Sequence, residues 1–256
     1  MPRNMNTDLQ ELRQAKGPTP LASVMFPDAM KVLVLAPHPD DFDEIAVTLR
    51  FFHDRGHAIK LAVSRTGSGV LDNYCSPPTL AVKEQIREKE QRASCRLFGL
   101  AETMLTFLDL ERDEADQPVE NSNNVARLIE VILPFAPDIV CLPHSNDTNS
   151  GHRRMYALFR TVAGQTRLPM VAFLNRDPKT IRMRMDLYTP FGEAEAGWKA
   201  SLLRCHDTQQ QRNLQTRGHG LDDRILNTNR QIARELGIAA QYAEAFEVEW
   251  PGVGSA

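Results

Sequence analysis

Residues 35–44, "LAPHPDDFDE", place one histidine and four acidic residues within the seven positions 38–44, directly after the apolar residues 32–34. Imidazole and carboxylate groups are ligands that zinc accepts, and a catalytic zinc needs three protein ligands beside an open position for water. His38 and Asp41 are candidate ligands, and Asp40 belongs to the same group. The stretch therefore indicates a divalent metal site at the end of a strand.

Two other interpretations account for less of this stretch. A dinucleotide site would carry a G-x-G-x-x-G turn here, and the carboxylates of Asp40 and Asp41 would repel a diphosphate. Acidic residues in the first turn of a helix stabilise it by roughly 0.3 to 1 kcal/mol each, and we assign Asp43 and Glu44 to that role. Helix stabilisation gives no reason for the order His-Pro-Asp-Asp.

A third ligand must come from elsewhere in the chain, and residues 141–156, "CLPHSNDTNSGHRRMY", offer several candidates. His144, Asp147 and His152 all follow an apolar run, and His152 lies where a helix is expected to begin. Loops after the carboxyl ends of neighbouring strands converge on one site in an open α/β sheet. The residue types alone leave the choice among these three open.

The elements that must position these loops form a repeating pattern. Short apolar runs alternate with stretches of helical length, which is typical of βαβ units around a parallel sheet. The predicted strands are residues 32–35, 58–63, 104–107, 139–142 and 170–174, and the predicted helices are residues 42–55, 79–98, 124–135 and one from about 151. The fold class predicted is a Rossmann-like, three-layer α/β fold with a mostly parallel central sheet.

The pattern changes in a smaller C-terminal portion, about residues 176–250. Residues 180–188, "TIRMRMDLY", alternate apolar and polar side chains and predict a strand with one solvated face. Helices are predicted over 193–204 and 221–236, and "EAFEVEW" predicts a last short strand. Residues 1–30 are expected to be an extension with one short helix. Residues 31–250 are expected to form a single domain, with its core sheet in about 31–175.

Composition narrows the class of protein. The chain has 256 residues, 42% of them hydrophobic, and a formal net charge of −3, which is unlike a nucleic-acid-binding protein. No apolar run is long enough for a membrane span or a secretory signal, so a soluble, cytoplasmic protein is predicted. The four cysteines are scattered without metal-binding spacing, and we interpret them as reduced and mostly buried.

The two loop motifs resemble those of the PIG-L or LmbE-like family of zinc-dependent N-acetylglucosaminyl deacetylases. That family pairs (A/P)-H-P-D-D after its first strand with a later N-D-x-H-x-D-H segment. Residues 87–100, "REKEQRASCRLFGL", 199–209, "KASLLRCHDTQ", and 242–248, "YAEAFEV", are similar to further family segments. The resemblance covers about residues 31–248.

Carried over position by position, the resemblance implies that His38, Asp41 and His152 are the zinc ligands and that Asp40 is the general base. Fe²⁺ or Mn²⁺ would also suit these ligands. Two positions depart from the family pattern: Asn149 replaces a histidine that polarises the amide carbonyl, and Gly151 replaces the aspartate before the last ligand.

The activity implied is hydrolysis of the N-acetyl group of an N-acetylglucosamine-type sugar. A zinc ion would lower the pKa of its bound water toward 7, so that hydroxide can attack the acetamide. Asp40 would accept the proton of the water and pass it to the leaving amine. Asn149 would donate an N–H to the oxyanion, in place of the missing histidine.

Four further residues have less specific signals. Asp147 could orient a ligand imidazole, and His144 could lie beside the ligands. Arg65 and Arg153 could contact a polyhydroxyl or anionic part of the substrate, or be ordinary surface arginines.

Two other functions stay open. The replaced histidine favours a metal-dependent amidohydrolase of a different acyl-amine, and a sugar-binding relative without catalysis is the non-enzymatic alternative. The predicted partner is a small amino-sugar rather than nucleic acid, and a homo-oligomer is left open.

Overall fold

One mixed sheet runs through the described part of the chain, residues 17–251 of a computed structural model. Its strands are β1 Thr19–Pro20, β2 Lys31–Ala36, β3 Ala58–Ser64, β4 Leu105–Leu108, β5 Ile139–Pro143, β6 Val171–Asn175, β7 Leu187–Phe191 and β8 Tyr242–Glu249. Their order in the sheet is β1-β7-β8-β6-β5-β2-β3-β4. All neighbouring pairs are parallel except those that β8 makes with β6 and β7.

Helices cover both faces of this sheet. They are α1 Asp41–Glu44, α2 Ala46–His53, α3 Leu80–Phe98, α4 Ser122–Phe135, α5 Ser150–Thr166, α6 Glu193–Leu203, α7 Asp207–Arg217 and α8 Leu221–Leu236. Along β2, Val32 and Val34 join the apolar cluster on one face, and Leu33 and Leu35 join the cluster on the other. Because both faces are buried, the strands are almost continuously apolar. The predicted fold class is confirmed.

The five predicted core strands and most predicted helix ends are present. Helix α3 begins after Thr79, whose side chain accepts a hydrogen bond from the Val82 N–H, and ends at Gly99, whose φ is 96°. That left-handed conformation is one that glycine adopts without strain, which is why the glycine marks the helix end.

The helix predicted over residues 42–55 is broken at Ile45, between α1 and α2. Glu244, on the distant strand β8, accepts hydrogen bonds from the N–H groups of Val47 and Thr48 at 3.1 and 2.8 Å. These first-turn N–H groups of α2 therefore have a carboxylate partner from outside the helix. A partner 196 residues away leaves no local signal.

The strand predicted over residues 180–188 is wrong for most of its length, since β7 begins only at Leu187. Ile181, one of the apolar residues of that alternation, is 66% exposed. Its N–H donates to the Asn146 carbonyl at 2.9 Å, and Thr180 bridges to Asp147. The segment before β7 is thus held against the loop after β5 instead of joining the sheet.

The C-terminal portion supplies strands of the same sheet. Strand β8, foreseen only as a short last strand, lies between β6 and β7. Helix α7 was not predicted, because its buried residues are polar and leave no apolar periodicity: Thr208, Gln209, Gln210 and Asn213.

The N-terminal extension is only partly described, since residues 1–16 lie outside the described range. Thr19 and Pro20 pair with Leu187 and Tyr188, and residues 21–23 form a 3₁₀ turn. Between residues 17 and 251, no helix has the length and apolar character that a membrane crossing requires. All four cysteines are free thiols, of which Cys95 and Cys141 are buried.

Candidate metal centre

Two neighbouring strands deliver the predicted ligands to one edge of the sheet. Strands β2 and β5 are adjacent and parallel, with Val32 opposite Ile139, so the loops after them meet. One ligand atom from each of His38, Asp41 and His152 lies within 4.8 Å of the other two. Two imidazole nitrogens and a carboxylate oxygen form a donor set that zinc accepts.

The geometry of His152 fits a metal ligand. Its ring is 1% exposed, and its Nδ1 lies 3.1 Å from Asp147 Oδ2. Its buried Nε2 makes no hydrogen bond within residues 17–251 and lies 3.5 Å from Asp41 Oδ1. Burial alone would lower the pKa of His152, but the carboxylates of Asp41 and Asp147 raise it to about 10. The surroundings therefore favour positive charge at this nitrogen.

Asp41 and His38 are held together by the turn that starts α1. The Asp41 Oδ2 accepts the backbone N–H of His38 at 2.8 Å and lies 3.4 Å from His38 Nδ1. Burial opposes ionisation of Asp41, but the imidazoles of His152 and His38 lower its pKa well below the usual range. Asp41 is thus an ionised carboxylate between two imidazoles.

Asp40 lies beside this cluster in an unusual backbone conformation, with φ at 112°. Such a conformation is strained for a residue other than glycine and recurs at functional sites. Its Oδ1 lies 3.0 Å from Nη2 of Arg87, and its N–H donates to Gln91 Oε1 at 3.3 Å. Helix α3 therefore fixes both the backbone and the side chain of Asp40.

Arg87 is a site residue that the sequence reasoning missed. Its side chain is only 2% exposed, and it also donates to the Pro39 carbonyl. Arg87 opens the segment "REKEQRASCRLFGL", which the sequence indicates only as a family likeness. The pairing with Asp40 spans 47 positions, so no local spacing reveals it.

Asn149 caps helix α5 and also lines the cavity above the cluster. Its Oδ1 accepts the Gly151 N–H at 2.9 Å, and its own N–H donates to Asp147 Oδ1 at 2.6 Å. No hydrogen bond of its Nδ2 is found in the described part of the chain, so that group can still donate to a ligand.

Gly151 leaves room for two side chains at the cluster. A Cβ at this position would lie 2.5 Å from Gln117 Oε1 and 3.0 Å from His38 Nε2. Gln117 was not foreseen as a site residue. Its Nε2 donates to the Ala115 carbonyl at 3.1 Å, while its buried Oε1 has no partner among residues 17–251. The missing side chain at 151 thus lets Gln117 approach His38.

Three other predicted residues are not brought into the centre. His144 lies 3.3 Å from Glu247 Oε2 and accepts the Asn146 N–H, away from the ligand cluster. Arg65 pairs with Glu88 at 2.8 Å, and Arg153 donates to the Asp147 carbonyl at 2.7 Å. Neither arginine is among the residues that line the cavity.

Asp43 and Glu44 lie in the first turn of α1, as expected, but they do more than stabilise a helix start. The Asp43 carboxylate accepts from Ser94 Oγ at 2.5 Å and lies 2.6 Å from His206 Nε2. Glu44 lines the cavity, where burial raises its pKa and Asp177, Asp41 and Asp40 raise it further. The sequence analysis assigned both carboxylates to helix stabilisation alone. These contacts correct that assignment.

The metal-ligand cluster lies at a cavity of about 350 Å³, a size within the range of small-molecule sites. It is surrounded by residues of the loop after β2, of the segment after β5 and of helices α3, α7 and α8. Its lining includes His38, Asp40, Asp41, Glu44, Gly69, Arg87, Gln117, Asn149, Asp177, Lys179, Gln209, Arg212, Arg217 and Arg224.

The fold and this cluster define an α/β protein with a candidate metal centre at the carboxyl end of its sheet. The model of the PIG-L family, described as GlcNAc-PI de-N-acetylase, matches residues 33–163. The chain belongs to this family. A search of curated proteins found no match.

Solved structures share the fold. An N,N'-diacetylchitobiose deacetylase from Pyrococcus horikoshii, complexed with its inhibitor MPG, is 18% identical, with a TM-score of 0.74 over 97% of this chain and 91% of that one. The zinc-inhibited form of teicoplanin deacetylase Orf2 is 15% identical, with a TM-score of 0.63 over 88% of this chain and all of its own. The conserved protein TT1542 from Thermus thermophilus is 20% identical, with a TM-score of 0.56 over 87% of this chain and 96% of that one.

Proposed function

We propose that this protein is a zinc-dependent hydrolase that removes the N-acetyl group of an N-acetylglucosamine-type sugar. The observation that carries the proposal is the meeting of His38, Asp41 and His152 beside Asp40 in a member of this family. The family, which is that of GlcNAc-PI de-N-acetylase, and the two deacetylases among the structural neighbours support the choice of reaction.

The proposed ligands are His38, Asp41 and His152, and Asp147 would orient the His152 ring through Nδ1. A divalent cation bound there supplies a Lewis acid and lowers the pKa of its water. Fe²⁺ or Mn²⁺ is compatible with the same donors. The protein contributes the rigid positions of the three donor atoms.

Asp40 is the proposed general base. Arg87 binds its Oδ1, and Oδ2 makes no hydrogen bond with any described residue, so Oδ2 can accept a proton from water. Asn149 is the proposed donor to the acetyl oxygen through Nδ2. An amide cannot release a proton to the leaving nitrogen, so Asp40 would also return the proton to that amine.

Acetate release from N-acetylglucosamine glycosides by the zinc-loaded protein tests the proposal. We expect a chelator to abolish turnover. D40N should lower turnover by at least about a hundredfold, and N149A should lower turnover while zinc stays bound. Full turnover by D40N would reject the assigned base. Zinc binding without acetate release would instead favour a different acyl-amine substrate or a sugar-binding protein. The replacement of the family histidine by Asn149 also favours the first of these alternatives.

A further inference from the structure

The two ring nitrogens of His38 have different neighbours. Nδ1 lies 3.4 Å from Asp41 Oδ2, in the ligand cluster. Nε2 lies near Gly151, where an added Cβ would stand 3.0 Å from it. No hydrogen bond of this Nε2 is found among residues 17–251. An imidazole that binds a metal through one nitrogen almost always donates the N–H of the other nitrogen to an acceptor. His38 therefore requires an acceptor on the side of Gly151.

An acceptor without a donor lies at that place. Gln117 Oε1 is buried and has no hydrogen-bond partner among the described residues. The Cβ that residue 151 lacks would lie 2.5 Å from this oxygen and 3.0 Å from His38 Nε2. A buried carbonyl oxygen that accepts no hydrogen bond is costly. The unpaired oxygen and the unpaired ring nitrogen thus border the same small space.

The nitrogen of the Gln117 carboxamide fixes the direction of its oxygen. This nitrogen donates to the backbone carbonyls of Ala115 and Asp116 at 3.1 and 3.3 Å. A carbonyl can only accept a hydrogen bond, so the NH₂ group of the carboxamide must lie on that side. The Oε1 atom must then point into the space beside Gly151.

The turn that carries Gln117 is anchored at two places. The Asp113 carboxylate accepts the Gln117 backbone N–H at 3.0 Å and pairs with Arg154 of α5 at 2.6 Å. Asp116 Oδ2 accepts the backbone N–H of Ser68, in the loop after β3, at 2.9 Å. The turn is therefore tied to α5, the helix that also supplies the last proposed ligand, and this tie holds Gln117 in register with the ligand cluster.

We propose that Gln117 is a positioning residue, whose Oε1 accepts the Nε2–H of His38 when a metal is bound and so orients the imidazole. The inference rests on the proposed function, because it takes His38 as a metal ligand through Nδ1, the nitrogen beside Asp41. An aspartate at position 151, as in the family pattern, would place its Cβ against Gln117 Oε1 and its carboxylate beside the same ring nitrogen. In this chain Gly151 and Gln117 together take the place of that aspartate.

The zinc affinity of Q117A, measured by competitive chelator titration, is the first test. We expect binding about 10- to 100-fold weaker than in the parent protein, because the ring of a ligand is no longer held by its partner. E114A is the matched control, because Glu114 is an exposed residue of the same turn, and it should bind zinc like the parent. Unchanged melting temperatures of the metal-free variants show that they are folded.

An exchange of the acceptor distinguishes positioning from a merely structural role. Q117A/G151D removes the carboxamide and supplies a carboxylate from the other side of the space, so it should recover most of the zinc affinity that Q117A loses. Q117A/G151A is its control, since it adds the same Cβ without an acceptor, and it should bind zinc no better than Q117A. G151D alone should bind zinc weakly, because its Cβ would lie 2.5 Å from Gln117 Oε1.

Proton NMR of the zinc-loaded protein provides a signature that does not depend on turnover. A ring N–H that is held by an acceptor and shielded from water exchanges its proton slowly. We expect the Nε2–H signal of His38 to be visible in the parent and in Q117A/G151D, and to be lost in Q117A and in Q117A/G151A.

The outcomes separate this inference from the proposed function. Parental zinc affinity in Q117A, or a Q117A/G151D protein no better than Q117A/G151A, overturns the role of Gln117 and leaves the metal centre in place. The expected series without any release of acetate keeps that role and overturns the deacetylase. Stoichiometric zinc in H38A would overturn both, because His38 would then not be a ligand.

Discussion

At the scale of residues, the proposed metal centre depends on a nitrogen that has no hydrogen-bond partner among the described residues. His152 Nε2 is buried and points at Asp41, while its Nδ1 is fixed by Asp147. We predict that H152A loses stoichiometric zinc and that D147N weakens zinc binding by about 10- to 100-fold, the cost typical of losing a partner behind a ligand. Metal analysis and competitive chelator titration measure both.

H144A is the matched control, because His144 pairs with Glu247 outside the ligand cluster. It should keep full zinc occupancy. A protein that loses zinc in H144A and retains it in H152A would exchange the roles of the two histidines.

The glycine next to this ligand allows a second prediction. G151A adds a Cβ 2.5 Å from Gln117 Oε1 and 3.0 Å from His38 Nε2, so one of these groups must shift. We expect about tenfold weaker zinc binding, since a displaced ligand loses its geometry. G164A, in the same helix but with nothing within 4 Å of the added Cβ, should bind zinc like the parent protein. Equal affinities in the two variants would show that this contact has no effect.

Residue types revealed part of this site and could not reveal the rest. His38 and Asp41 could be proposed as ligands because ligand chemistry limits the residue types to a few, and the family resemblance selected His152 from the loop that meets theirs. Arg87 and Gln117 carry no such restriction, and they reach the site from segments whose positions depend on the tertiary fold.

At the scale of elements, one buried lysine links the helices behind the candidate metal centre. Lys199 on α6 is fully buried and donates to the Glu44 carbonyl, to Asn229 Oδ1 at 2.9 Å and to Glu244 Oε1 at 2.7 Å. Glu244 in turn holds the first N–H groups of α2. The ion pair thus fastens the end of α1 and the start of α2 to β8 and α8.

K199M is expected to destabilise the protein by about 3–5 kcal/mol, because it leaves the Glu244 carboxylate buried and unpaired. The double variant K199M/E244Q should recover part of this loss by removing the charge, although one N–H of α2 then loses its acceptor. Denaturant unfolding measures the free energy of each variant. A double variant less stable than K199M would contradict the role given to the unpaired charge.

K83M provides the comparison for that series. Lys83 pairs at 2.6 Å with Asp72, whose side chain is 82% exposed. Exposed pairs contribute about 0–1 kcal/mol, so this variant should unfold close to the parent. A large loss in K83M would mean that burial is not what makes the Lys199 pair important.

At the scale of the whole molecule, the order of the strands joins the two ends of the described chain. Strand β8 inserts between β6 and β7, and β7 pairs with β1 at residues 19 and 20. Continuous apolar runs identified the five strands β2 to β6, since these are buried on both faces, but the pairing partner of a strand leaves no local pattern. The antiparallel insertion of β8 was therefore beyond what the sequence could show.

This arrangement bears on whether residues 31–250 form one folding unit. Phe246 of β8 is fully buried and packs against Phe173 of β6, with ring centroids 5.8 Å apart. Both rings belong to the apolar cluster that also contains Val32 and Cys141. Removing either part of the chain would expose the core of the other, so we predict a single cooperative unfolding transition.

Two local probes can test this prediction. The tryptophans, Trp198 and Trp250, report on the C-terminal portion, and the buried Cys141 thiol on β5 reports on the core sheet. Burial raises the pKa of Cys141, so alkylation requires the sheet to open. Tryptophan fluorescence and Cys141 labelling should show the same midpoint in denaturant.

F246A should lower the stability seen by both probes by about 3–5 kcal/mol, whereas L214A, at a half-exposed leucine, should change neither midpoint appreciably. Were the core sheet an independent domain, Cys141 would stay protected after the tryptophan signal is lost, and F246A would shift only the tryptophan transition.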